Sequence, residues 1–233
     1  CSPASSQRGL AIAGPATDED KLPPPDKSAD GIGVFDTAQM KIVKMLHGVS
    51  NPEQLAISPD GSMVYSPDED AAVVHFIGTD GSDHGAVKVA PEPEGVAISP
   101  DGKQLYVTSE GGGTVTVIDT TSQKVVKSFS AGDRPRSVTF SPDGKRAYVS
   151  SELGGQLIAI DTATQSMTAK TPITGDAPKP MGLAVAADGK AVFVSTGRGG
   201  TLVRVNQDGS QKAVAVGARP WGIALAPDGK LVY

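Results

Sequence analysis

The sequence predicts an all-β fold made of repeated four-stranded antiparallel units, and three observations carry that prediction. Five segments align without a gap: "PEQLAISPDGSMVY" from Pro52, "PEGVAISPDGKQLY" from Pro93, "PRSVTFSPDGKRAY" from Pro135, "PMGLAVAADGKAVF" from Pro180 and "PWGIALAPDGKLVY" from Pro220. The prolines are almost evenly spaced. Each is followed at one constant offset by the Asp of Asp-Gly (Asp60, Asp101, Asp143, Asp188, Asp228) and at another by an aromatic (Tyr65, Tyr106, Tyr148, Phe193, Tyr233). A second element recurs downstream: "GVFDT" ends at Thr37, "TVIDT" at Thr120 and "IAIDT" at Thr162, with "VRVNQ", ending at Gln207, a degenerate copy. Apolar residues alternate between turn signals, and Gly (28) and Pro (18) are frequent. A period of roughly 40 residues that holds four strands is the signature of a β-propeller blade, not of a solenoid coil.

Within one unit each element has its own cause. "SVTF" alternates toward a turn, "SPDG" supplies the turn, and "KRAYVS" resumes as the second strand. Pro142 presets φ, Asp143 tolerates the next position and Gly144 accepts φ > 0. "GGQLIAID" reads as the third strand and "SMTAKTPIT" as a weaker, more exposed fourth. Small residues on the first strand (Ala97, Ala184, Ala224) suit a crowded position beside a central channel. The recurring Asp-Gly pairs are read as turn residues and not as catalytic carboxylates.

The same spacing divides the chain. Whole blades are expected at 52–90, 93–133, 135–178 and 180–218, with a half blade at 31–50 supplying strands three and four and another at 220–233 supplying strands one and two. The step that separates Tyr106 from Asp119, taken back from Asp36, lands on Pro23 in the "PPP" run, where a strand lacks N–H donors. Residues 1–30 are therefore expected to be a Pro-, Asp- and Ser-rich loop insertion, partly disordered. Two architectures stay open: part of a seven-bladed ring, which we favour, or a five-bladed ring closed by the two half blades, which removes exposed edges.

Composition excludes several functions. The net charge is −5 and no run of four basic residues occurs, so nucleic acid is not an expected partner. No apolar run approaches a membrane span. The one cysteine, Cys1, allows no internal disulfide; it is read either as the lipid-modified first residue of a lipoprotein or as a position inside a longer chain. No G-x-S-x-G, C-x-x-C-H, H-E-x-x-H or phosphate-binding loop is present. His47 is placed after a strand, His75 in a strand and His84 in the "TDGSDHG" turn, with no convergence that points to a metal. No catalytic residue, metal or cofactor is assigned.

What remains is a rim. In a propeller the loop entering strand one and the loop joining strands two and three share one face. The residues after the elbow prolines (Glu53, Glu94, Arg136, Met181, Trp221) are expected to point to the channel mouth. Arg134, Lys179 and Arg219 precede those prolines, and Glu69, Glu110, Glu152 and Arg198 come from the second loops. One arc of the rim reads as acidic and the next as basic. Of these, Glu53, Glu94, Arg134, Arg136, Arg198, Arg219 and Trp221 are the candidates for binding a ligand or partner, arginine suiting carboxylates and the tryptophan suiting stacking.

"LYVTSEGGGTVTVIDTTSQKVVKSFSAGDRPRSVTFSPDGKRAYVS" resembles the bacterial YVTN-type β-propeller repeat, over roughly residues 31–233. "KLPPPDKSADGIGV" (21–34), followed by the "PEQ", "PEG", "PRS", "PMG" and "PWG" elbows, resembles the PQQ-dependent-catabolism-associated β-propeller proteins. That resemblance implies seven repeats, a periplasmic or extracellular location and a non-enzymatic accessory role. The implied partner is another protein of a quinoprotein alcohol-oxidation and export system. Two alternatives stay beside it: a lactonase-like hydrolase, and a haem-holding propeller.

Overall fold

The computed structural model describes residues 30–233. The expected loop insertion at 1–30 therefore lies, but for its last residue, outside the described part. Among the described residues, eighteen strands form one two-stranded and four four-stranded antiparallel sheets. β1 (Ile32–Asp36) and β2 (Lys41–Leu46) make the two-stranded sheet. Next comes β3 (Ala56–Ile57), β4 (Met63–Asp68), β5 (Val73–Gly78) and β6 (Asp83–Lys88). The second full blade holds β7 (Pro93–Ile98), β8 (Gln104–Ser109), β9 (Thr114–Asp119) and β10 (Lys124–Ser130). The third holds β11 (Pro135–Phe140), β12 (Arg146–Ser151), β13 (Gln156–Asp161) and β14 (Ser166–Pro172). The fourth holds β15 (Leu183–Val185), β16 (Ala191–Ser195), β17 (Thr201–Asn206) and β18 (Gln211–Ala215). Beyond it, residues 220–233 fold back through a Leu225–Val232 bridge.

Strands within each blade pair in sequence order. Contact between blades concentrates on their first strands, β3 on β7, β7 on β11 and β11 on β15. Sheets that meet at their inner edges and diverge outward are the vanes of a propeller. The apolar cores accordingly lie between sheets. Val115 and Val117 of β9 pack toward the β11–β14 blade, while Ile118 on the same strand packs toward the β3–β6 blade. That is the period-two alternation of a strand buried on both faces. Each such fully buried side chain contributes roughly 1.5–3 kcal/mol. The outer strands are half exposed, as β10 shows by its mixed burial.

The Asp-Gly turns work as local clamps. Gly144 has φ 69° and donates its N–H to the Ser141 carbonyl at 2.9 Å. Asp143 Oδ1 accepts from the Ser141 hydroxyl at 2.7 Å and from the Lys145 N–H at 3.1 Å. Those donors, the Ser141 hydroxyl first, hold the Asp143 carboxyl below its ordinary value. One placement is corrected: His84 lies in β6, not in a turn, because the Asp80–Ser82 hydrogen bonds complete the turn before it.

Candidate rim site

Four of the five elbows are kinked in the same way. Asn51, Glu92, Arg134 and Arg219, all preceding an elbow proline, have φ of 49°, 55°, 53° and 53°. Non-glycine residues rarely occupy this left-handed region, and a following proline restricts the backbone further. Four repeats of an unfavourable conformation at one end of the molecule mark a surface that the surrounding fold imposes. Before the fourth blade, where the spacing is longest, the kink moves to Ala177, ahead of Pro178.

Behind each kink a hydroxyl ties two blades together. Thr108 Oγ1 accepts the Gly95 N–H of its own blade at 2.8 Å and donates to the Arg136 carbonyl of the next at 2.7 Å. Ser150 does the same with the Ser137 N–H (2.9 Å) and the Met181 carbonyl (2.6 Å). Ser195 accepts the Gly182 N–H at 2.8 Å and donates to the Trp221 carbonyl. Backbone passes so close here that a Cβ on Gly95 would collide with the Arg136 carbonyl, and one on Gly182 with that of Trp221. In the β3–β6 blade the corresponding position is Pro67, which has no hydroxyl, so Glu94 lacks this clamp.

The clamps fix a charged cluster. Arg136, only 9% exposed, contacts Glu94 and Glu110 through Nη1, and its Nε lies 3.5 Å from Glu152 Oε2. Arg134 Nε donates to Glu110 Oε2 at 2.6 Å and lies 3.4 Å from Glu152 Oε2. The Arg136 guanidinium also stacks over Trp221, 5.3 Å from the ring centroid. Three acidic side chains thus share two guanidiniums. Burial, with Glu53 and Glu69 adding to it against the pull of Arg136, pushes the Glu94 carboxyl up to about 8. Arg136 Nε and Glu152 Oε2, both buried in the cluster, make no hydrogen bond among the described residues.

A cleft of about 280 Å³ opens above this cluster, lined by Arg134, Arg136, Glu152, Lys179, Arg198, Arg219 and Trp221 among others. Among the described residues no carboxylate lies in ion-pair range of Lys179, Arg198 or Arg219. The structure thus brings Arg134, Arg136, Arg198, Arg219 and Trp221 around one cavity. Glu94 sits behind Arg136, and Glu53 acts on Glu94 through its charge. The acidic and basic arcs are not separate: they interlock through Arg136, whose Nη1 is engaged by Glu94 and Glu110 while its Nε makes no hydrogen bond among the described residues. Glu110 and Glu152, noted in the second loops but not among the favoured candidates, are the groups that hold the arginines. Their common place directly after the Ser109 and Ser151 strand ends was the available signal.

A family model described as "Lactonase, 7-bladed beta-propeller" matches residues 74–233. The chain belongs to that family. The non-enzymatic expectation is thereby corrected: this lactonase-family chain is grouped with propellers named for catalysis, which quiet repeat residues had obscured. No curated protein sequence matches it. Among solved structures it is similar to a Kuenenia stuttgartiensis hydrazine synthase (25% identity, TM-score 0.70), covering 80% of this chain and 56% of that one. The chain thus spans little more than half of that relative. A Staphylococcus aureus virginiamycin B lyase superposes with TM-score 0.74 at 19% identity, covering 86% and 69%. A chain of a mitotic checkpoint complex superposes with TM-score 0.76 at 14% identity, covering 86% and 63%. These last two likenesses concern the fold alone.

Proposed function

We propose that this lactonase-family chain forms the active face of a hydrolase that opens small anionic cyclic esters. The observation that supports it is the pair of buried atoms without hydrogen bonds, Glu152 Oε2 and Arg136 Nε, facing each other at 3.5 Å on the wall of a cationic cleft. Glu152 is the general base: it takes a proton from water as the water oxygen bonds to the lactone carbonyl carbon. Charge developing on the carbonyl oxygen faces fixed cations, with Arg136 aligned by the Thr108 clamp. The ring C–O bond then breaks, Glu152 returns the proton to the leaving alkoxide, and a hydroxy acid results. Lys179, Arg198 and Arg219 hold the anionic substituent of the substrate.

The repeat resemblance supports a location outside the cytoplasm, with a protein of a quinone-linked alcohol-oxidation system as neighbour. Dehydrogenation of a cyclic hemiacetal yields a lactone, so a hydrolase placed there would consume an oxidation product. Proton release at constant pH, with carboxylated and neutral lactones as substrates, tests the reading. Turnover of the carboxylated lactones that Glu152→Gln lowers at least about 100-fold is the expected result. No turnover of any lactone, or turnover indifferent to Glu152→Gln, would overturn it.

A further inference from the structure

The junction between the β11–β14 and β15–β18 blades is filled differently from the junction before it: Leu157, Ile173, Leu183 and Val192 are larger than their counterparts Val115, Ala131, Val138 and Ala147, while bulk is lost at four other positions. Strand register identifies the equivalent positions. Phe129 opposes Val115 as Thr171 opposes Leu157, and Lys127 opposes Val117 as Ala169 opposes Ala159. Phe140 stands to its elbow proline, Pro135, as Val185 stands to Pro180. At the earlier junction Phe129 and Phe140 pack into the core, and Phe140 meets Tyr106 edge-on at 4.9 Å. Lys127 reaches across to the Thr164 carbonyl at 3.1 Å, as Lys44 reaches from β2 to the Thr79 carbonyl at 3.4 Å. At the later junction the two rings are a threonine and a valine, the bridging lysine is an alanine, and Val117 is replaced by Ala159.

Three of the truncated positions, Ala159, Ala169 and Thr171, line a groove of about 320 Å³ together with Tyr148, Val192 and Val205. Tyr148, the counterpart of Tyr106, has no aromatic partner among the described residues. Arg146 and Lys190 stand at the mouth, and among the described residues no acidic side chain lines the groove. Arg146 faces Asp161 across the ladder, but that carboxylate is held by the Thr164 N–H and hydroxyl. The mouth is at the turn ends of β12 and β16, whereas Ser151 and Ser195, at the opposite ends of those strands, border the elbows.

We propose that this groove binds a small molecule with a planar apolar body and one anionic group, independently of the rim cleft. The apolar floor removes the body from water at roughly 25 cal/mol per Å², the Tyr148 ring offers an aromatic edge or face, and Arg146 and Lys190 select the anion.

Calorimetric titration of the purified protein with 2-naphthoate, and with the neutral 2-naphthylmethanol, tests this. The acid is expected to bind with a submillimolar Kd, at least about tenfold tighter than the alcohol. Ala169→Lys with Thr171→Phe, which imports the filling of the earlier junction, is expected to weaken binding at least about tenfold. Arg146→Gln with Lys190→Gln, both exposed, is expected to reduce the acid to the affinity of the alcohol, and this pair decides the matter should the refilled variant not fold. Arg219→Gly, in the rim cleft, leaves binding unchanged. No saturable binding, binding indifferent to both double variants, or binding lost with Arg219→Gly would overturn the proposal.

Discussion

Thr108 stands directly behind Arg136: its hydroxyl donates to the Arg136 carbonyl at 2.7 Å while accepting the Gly95 N–H at 2.8 Å. One side chain thus joins two blades and fixes the backbone of the most enclosed cation on the rim. Thr108→Val keeps the shape and leaves two buried backbone groups without their partner. The expected loss is about 1–3 kcal/mol in urea unfolding, together with a fall in kcat on a carboxylated lactone that exceeds any change in KM. A variant as stable and active as the parent would show that packing alone aims Arg136.

Arg136 is surrounded by Glu94, Glu110 and Glu152, so removing it strands the Glu110 and Glu152 carboxylates in a buried place. Arg136→Met is expected to cost at least about 3 kcal/mol at neutral pH. Part of that loss returns in acid, where the carboxyls are protonated. Denaturant titrations of both proteins at two pH values check the difference.

Glu94 makes the fold itself pH-dependent. Its folded value, raised to about 8, exceeds the ordinary value of 4.5, so the native state binds more protons between the two. Its contribution is therefore complete below about pH 4.5 and is lost as pH rises through about 8. Between about pH 5 and about pH 8 the parent is expected to lose at least about 1 kcal/mol through this group. Glu94→Gln flattens that slope, as melting or urea curves across the interval would show; an equal slope in the variant refutes the assignment.

Arg219 holds a φ of 53° just before Pro220 and makes no ion pair among the described residues. Arg219→Gly removes the Cβ penalty, so stability is expected to stay level or rise by up to about 1 kcal/mol. The KM for an anionic lactone is expected to rise several-fold while that for a neutral lactone holds. Steady-state kinetics on the two substrates separates this from a general loss of structure.

The sequence alone determined the blades, because turn chemistry and period-two patterning are local. "SPDG" turns wherever it occurs, and the repeat spacing fixes how many strands intervene. It also marked the elbows, since four of the five elbow prolines follow a left-handed residue, the kink before the fourth blade lying one proline earlier. What the elbow positions do was decided only in three dimensions. Nothing in the spacing of Glu94, Glu110, Glu152 and Arg136 says that they interlock, because the contact crosses from one blade to the next. The same holds for Ala169 and Thr171: each is an unremarked residue in its strand, and only the opposing blade turns the missing bulk into a groove. Local chain physics sets strands and turns, whereas charge neutralisation and cavity volume belong to the surfaces that packing brings face to face.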